Sequence, residues 1–109
     1  MLTKEDYCDY DTCVALMGIG YPSYVFGDKL QDEHFANISL YEAQKFLREG
    51  KGLHVEVSIF ANNYDVEIIT TNGDKHGFHD VFIEKCGFKS YEEALSEGIK
   101  EAVKILKEN

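Results

Sequence analysis

Lysine and arginine are scarce in this sequence: there are 11 of them against 20 aspartate and glutamate residues, and the net charge is −9. A surface of that sign repels phosphate groups, which argues against direct binding of nucleic acid or anionic lipid. No apolar run approaches the roughly 18 residues that a membrane-spanning helix needs. We therefore expect neither nucleic acid nor a membrane among the partners of this chain.

Proline, tryptophan and cysteine are also rare: the 109 residues include one proline, no tryptophan and three cysteines. Cys8, Cys13 and Cys86 cannot all pair within one chain. Residues 1–6 turn acidic where the apolar region of a secretory signal would begin. We therefore expect a soluble protein of the reducing cytoplasm. Because Cys8 and Cys13 lie five residues apart in a predicted helix, their side chains should diverge by about 140° and neither form a local disulfide nor chelate a metal.

Apolar and aromatic residues, in contrast, are plentiful. Hydrophobic residues make up 44% of the chain, and seven tyrosines and seven phenylalanines are present. A chain of this composition and length can bury one hydrophobic core, and is too short for two domains. We predict a single domain over residues 1–109, with an acidic helical and irregular extension at 1–37 and a helix–sheet–helix core at 38–109.

Two helix starts are the clearest local signals. Ser39 precedes Glu42 by three residues, and Ser90 precedes Glu93 by the same interval. In such a capping box the serine oxygen accepts from a free N–H of the first turn, and the glutamate accepts from the N–H of the serine. Apolar residues follow at helical spacing, so we predict helices from Leu40 to about Glu49 and over 91–107, the first ending at Gly50.

The segment between these helices alternates apolar and polar residues, which is typical of β-strands. We predict strands at 53–61, 64–71 and 75–86, with turns at Asn62-Asn63 and Asn72-Gly73. The predicted fold class is α+β, with an α-β-β-β-α core. Its helices cover one face of a three-stranded antiparallel sheet, and an N-terminal helical extension is added.

The N-terminal extension has a weaker pattern. Residues 3–17 are predicted to form a helix that Thr3 caps, followed by a short strand at 23–26 and a short helix at 28–36. The predicted inward face of the first helix consists of Tyr7, Tyr10, Val14 and Met17.

The same extension combines acidic and aromatic residues. Seven aspartates and glutamates lie beside two lysines in residues 1–37. Because aromatic side chains are favoured at the centres of protein interfaces, this composition indicates contact with another protein. An acidic inhibitor that mimics nucleic acid is the alternative, and requires these acids to cluster on one face. The candidate interaction residues are Tyr7, Asp9, Tyr10, Asp11, Tyr21 and Tyr24.

Catalytic and metal-binding patterns are weak. His76, His79 and Cys86 are residue types that bind zinc, but a separation of three along a strand points the two histidines to opposite faces. Cys86 also lacks a nearby base with an orienting third group. We predict no catalytic residue, no metal and no cofactor. A small hydrolase or metal-binding protein that uses these three residues is the remaining alternative.

The two helix starts also carry a resemblance. The motifs Leu40-Tyr41-Glu42-Ala43-Gln44-Lys45-Phe46-Leu47-Arg48-Glu49, Tyr91-Glu92-Glu93-Ala94-Leu95 and Gly98-Ile99-Lys100-Glu101-Ala102 resemble parts of a group of small proteins from gut Bacteroidetes and their phages. This resemblance covers the C-terminal two thirds of the chain. It implies a shared fold and a phage or mobile-element origin, and implies no activity.

The predicted order of elements is similar to that of double-stranded-RNA-binding domains. Their RNA contact requires a lysine cluster at the start of the final helix, whereas this chain has Tyr91, Glu92 and Glu93 there. The resemblance therefore implies their topology without their activity. We expect a non-catalytic accessory protein, monomeric or homodimeric, that acts through protein–protein contact.

Overall fold

The computed structural model describes residues 3–22, 38–70 and 80–108, with the backbone alone at 80–83. The described elements are a 3₁₀ helix at Lys4–Asp6, α1 at Tyr10–Gly18, α2 at Leu40–Lys51, β1 at Leu53–Phe60, β2 at Asn63–Thr70, β3 at Asp80–Phe88 and α3 at Tyr91–Glu108.

The three strands form one antiparallel sheet in the order β1-β2-β3. Leu53 and Val55 of β1 and Val66 and Ile68 of β2 are buried on one face, where α2 and α3 pack. The first helix, α1, packs against α3. The predicted α+β class and the α-β-β-β-α order are confirmed.

Local capping explains where α2 begins. The Ser39 hydroxyl accepts from the N–H of Glu42 at 3.0 Å, and the Glu42 carboxylate accepts from the N–H of Ser39 at 3.2 Å. The predicted capping box is therefore confirmed. The helix ends two residues later than predicted, because Gly52, with φ of 69°, adopts the left-handed conformation that we assigned to Gly50.

We expect Ser39→Ala to lower the free energy of unfolding by about 1–2 kcal/mol, since it removes a cap at a buried position. Ser90 caps α3 through a single hydrogen bond with the N–H of Glu93 at 3.1 Å and is more exposed. We therefore expect Ser90→Ala to cost only about 0.5–1 kcal/mol. Urea unfolding of both variants measures the difference, and an equal loss would show that burial of the serine adds nothing.

The N-terminal helix differs from the prediction. Thr3 does begin a turn, and its N–H donates to Asp6 at 2.8 Å, but this turn is the short 3₁₀ helix. A new cap then forms at Asp9, whose carboxylate accepts from the N–H of Thr12 at 2.8 Å and starts α1. The helix α1 starts later than predicted because Asp9 provides its own cap after the 3₁₀ turn has ended. The fully buried residues of α1 are Thr12, Cys13 and Leu16. Of the predicted inward residues, Tyr10 and Met17 pack partly buried against the core, whereas Val14 is 43% exposed.

The predicted helical placement of Cys8 is wrong, because Cys8 precedes α1, and the divergence angle derived from that placement does not apply. Both side chains are buried, and the Cys13 thiol donates to the Cys8 carbonyl at 3.8 Å. The hydrogen bond with Cys13, together with burial, raises the pKa of the Cys8 thiol. Both cysteines therefore belong to the core, and Cys8 is held as an unreactive thiol.

The β1–β2 turn lies one residue earlier than predicted. Ala61 and Asn62 form it, with φ of 49° and 70°, which is the type I′ arrangement of a two-residue hairpin. This register places Val55 opposite Ile68, so that both buried residues lie beneath the helices. β3 ends two residues later than predicted, at 88, and its pairing with β2 has two irregularities. Residues 75–79 of the predicted third strand lie outside the described residues. The predicted elements at 23–26 and 28–36 and the Asn72-Gly73 turn lie outside the described residues.

One side chain links α2 directly to the sheet. The Gln44 amide donates to the Val55 carbonyl at 2.7 Å. The sequence pattern did not identify this contact, because Gln44 is a polar residue within an amphipathic helix. The bond holds α2 at a fixed position along β1.

Candidate interaction surface

The second face of the sheet carries neither α2 nor α3, and we call it the open face. Side chains alternate along a strand, so residues next to the buried ones point to this face. The exposed residues on it are Glu56, Ser58, Phe60 and Glu84. The central strand, β2, contributes half-buried residues. The side chains of the open face that the structure describes in its paired segments are His54, Glu56, Ser58, Phe60, Asn63, Asp65, Glu67, Ile69 and Glu84.

Three glutamates cross the open face in one line, which we call the acidic row. Glu56 pairs directly with Glu67, and Glu67 pairs directly with Glu84. Asp65 lies on the same face of β2, and His54 is 4.0 Å from Glu56. Lys85 is not available to neutralise the row, because it pairs with Val66 on the helix side and binds Glu101 at 2.8 Å. The described part of the open face therefore contains four carboxylates and neither lysine nor arginine.

The acidic row is expected to destabilise the fold, because like charges directly opposite each other on neighbouring strands repel. Glu67→Gln removes both repulsive pairs, and we expect the free energy of unfolding to rise by about 0.5–1 kcal/mol at low ionic strength. The gain should shrink in concentrated salt, which screens exposed charges. Glu108→Gln, at an exposed position near the C-terminus, is the matched control. Urea unfolding at two salt concentrations tests this, and an unchanged or lower stability of Glu67→Gln at low salt would contradict it.

The β1–β2 hairpin carries two large apolar side chains at its tip. Ile59 is 67% exposed and Phe60 is 71% exposed. Phe60 lies on the open face, and Ile59 points to the helix side. We call these two residues the hairpin tip. Burial of such side chains against a partner removes apolar area from water, which is the main favourable contribution to association.

The structure gives the predicted interaction residues of the N-terminal segment different places. Tyr7 bridges to Ser39, and Tyr10 packs partly buried against the core. Tyr21 packs edge-on against Phe46, with the ring centroids 5.1 Å apart. Tyr24 lies outside the described residues. A shared interaction surface of these tyrosines stays a prediction.

Asp9 and Asp11, the two predicted carboxylates, line one depression of about 300 Å³ beside Lys100. Asp9 is 3.2 Å from the ammonium of Lys100. Partial burial opposes its ionisation, but hydrogen bonds from Thr12 and Lys100 outweigh that effect and the pKa of Asp9 lies below its usual range. Its charge therefore has partners within the fold, whereas Asp11 is exposed.

A second depression, of about 370 Å³, lies at the start of α3. Glu5, Glu92 and Glu93 line it together with two serines. This is the helix end at which double-stranded-RNA-binding domains place lysines. Of the four described N-terminal acids, Glu5 lies here, Asp9 and Asp11 line the other depression, and Asp6 lines neither and accepts hydrogen bonds from Thr3 and Tyr41.

The alternative site of His76, His79 and Cys86 is described only in part. Both histidines lie outside the described residues, and Cys86 is an exposed free cysteine on β3. Within 3–22, 38–70 and 80–108, no group of three histidine, cysteine or acidic side chains is placed to hold a metal ion. The acidic row therefore does not form a metal cage.

No protein-family model matches this chain, and neither a curated protein nor a solved structure is significantly similar to it. In the part of the chain that the structure describes, every helix is too short or too polar to cross a membrane.

Proposed function

We propose that this protein is a non-catalytic accessory protein that binds another protein, and that the hairpin tip is the centre of the contact. The observation that supports this most strongly is the exposure of Ile59 and Phe60, at 67% and 71%, on the two faces of the same hairpin end. Large aromatic anchors at the centre of a patch contribute most of the binding energy in many interfaces.

The surroundings of the hairpin tip suit a specific contact. The tight type I′ turn at Ala61 and Asn62 restricts the backbone, and eight paired residues on each strand support it. A tip held in this way loses little conformational freedom on binding, which favours affinity.

The three free cysteines suit a reducing compartment, and the cytoplasm is the location that we propose. The resemblance to phage and Bacteroidetes proteins supplies the proposed setting, an accessory role in a phage or mobile element.

The alternative of an acidic inhibitor that mimics nucleic acid has less support. It required the N-terminal acids to lie on one face, and three of the four described ones, Glu5, Asp9 and Asp11, divide between two depressions. Protein–protein contact through the hairpin tip is therefore the function that we propose first.

Affinity capture from a lysate of a gut Bacteroidetes species tests the proposal. The bait is the full chain as wild type, as the double variant Ile59→Ser/Phe60→Ser, and as Val14→Ser. Val14 is the matched control, because it is a 43% exposed apolar residue on α1. We expect proteins that the wild type and Val14→Ser retain and the hairpin-tip variant loses. Recovery of the same proteins with all three baits would overturn the proposal.

A further inference from the structure

We infer that the open face receives a basic helical segment of the protein partner, with lysine or arginine side chains on the acidic row and an apolar contact to Phe60. This inference rests on the proposed function, and it identifies the chemistry of the partner.

The charge of the open face selects the sign of the partner. Glu56, Glu67, Glu84 and Asp65 share this face, and its described residues include no lysine or arginine. A second copy of this chain would bring the same four carboxylates against the first four, so self-association through this face is disfavoured. Cationic side chains, in contrast, relieve the repulsion within the acidic row. Complementary charge of this kind contributes specificity and a faster association rate.

The spacing of the acidic row favours a helix as the basic segment. Neighbouring strands lie about 4.8 Å apart, so the row extends about 10 Å from Glu56 to Glu84. Basic residues at positions i, i+3 and i+7 of a helix share one side and rise by about 4.5 and 10.5 Å. An extended strand places successive side chains of one face about 6.6 Å apart, and fits the row less well.

Phe60 adds an apolar anchor to this charged face. It lies on the same face of β1 as Glu56, four residues away, and 71% of it is exposed. Four residues of a strand extend about 13 Å, which places the anchor at one side of a helix that crosses the strands at the row. The anchor and the row together form one continuous contact.

Two synthetic peptides test the inference on the full-length protein. The first is an alanine-rich helix with arginines at i, i+3 and i+7 and a leucine directed towards Phe60. The second is an isomer with the same arginines spread around the helix. Amide chemical-shift titration of the labelled protein at low ionic strength measures the affinity and locates the contact. We expect the aligned peptide to bind at the open face about tenfold more tightly than its isomer, which corresponds to about 1.4 kcal/mol.

Two triple variants provide the matched comparison. Glu56→Gln/Glu67→Gln/Glu84→Gln removes the acidic row, and Glu5→Gln/Glu49→Gln/Glu108→Gln removes three exposed acids elsewhere. Each variant removes three negative charges from the net −9, so the general attraction for a cation is the same in both. We expect the row variant to lose about tenfold in affinity for the aligned peptide, the fold-change that three weak ion pairs provide, and the control variant to lose less than threefold.

Several results would overturn the inference. These are equal binding of the two peptides, an equal loss in the two triple variants, no binding of the aligned peptide, or shifts of the row residues with calcium or magnesium chloride in place of the peptide. Failure of the proposed function is recognised separately. A captured protein that depends on Ile59 and Phe60 but not on the acidic row leaves the proposed function standing and removes this inference. Capture that depends on neither the tip nor the row removes both.

Discussion

Leu16→Ala is expected to lower the free energy of unfolding by about 3 kcal/mol. Leu16 is completely buried on α1, in the same core cluster as Leu95 and Ile99 of α3. Removal of a fully buried leucine side chain loses its transfer free energy and leaves a cavity, which together cost about 2–5 kcal/mol. The buried residues of α1 therefore form part of the core of the domain, so α1 is an integral element of the fold.

Urea unfolding followed by both far-ultraviolet circular dichroism and tyrosine fluorescence measures this effect. We expect both signals of Leu16→Ala to shift together, because one core unfolds as a unit. Val14→Ala, two residues away on the same helix and 43% exposed, should stay within about 0.5 kcal/mol of wild type. If Leu16→Ala instead unfolded α1 in a separate early step, the N-terminal segment would be an independent unit.

Gly98→Ala is expected to destabilise the domain by about 2 kcal/mol. Gly98 lies in the middle of α3, where alanine should gain about 1 kcal/mol from helix propensity. A Cβ atom there, however, would lie 2.6 Å from one methyl group of Val55 and 2.6 Å from one of Val66. Valine side chains are stiff and these are buried, so the helix must move away from the sheet. We expect the free-energy cost of this overpacking to exceed the gain from helix propensity.

Gly50→Ala is the matched control for this variant. Gly50 is an exposed glycine of α2, and a Cβ there would meet the Phe46 ring at an ordinary distance of 3.5 Å. We therefore expect Gly50→Ala to stabilise the domain by about 0.5–1 kcal/mol, opposite in sign to Gly98→Ala. In a double-mutant cycle, Val66→Ala should make Gly98→Ala less costly by at least about 1 kcal/mol. Additive effects of the two changes would contradict the close-packing argument.

Local sequence signals correctly predicted where α2 and α3 begin and which faces of β1 and β2 are buried. The Ser39 and Ser90 caps require only neighbouring residues, and both begin helices where the pattern indicated. The inward faces of β1 and β2 follow from simple alternation. The same local reasoning failed at Asp9, because it assigned one helix to a segment in which Thr3 begins a 3₁₀ helix and Asp9 then begins α1. The same error placed Cys8 inside the predicted helix, whereas it precedes α1.

The acidic row required a detail that the pattern did not supply. Alternation correctly placed Glu56 and Glu67 on the polar face, but the predicted turn at Asn62-Asn63 would have paired Glu56 with Ile69. The observed turn at Ala61 and Asn62 pairs Glu56 with Glu67 instead. An error of one residue in the position of the turn was therefore enough to prevent prediction of the acidic row. The sequence did contain a signal for the observed register, because this register pairs two apolar residues, Val55 and Ile68, on the buried face.

The Gln44 contact has a consequence for how the protein tolerates high concentration. In the described sheet β1 is an outer strand, and the outward peptide groups of such a strand can template the addition of another chain. The Gln44 amide already occupies the outward carbonyl of Val55. A foreign strand would have to displace it before continuing the sheet. The Gln44 side chain thus opposes strand-by-strand aggregation at the edge of β1. The proposed partner contact uses the open face of the sheet and does not require this edge.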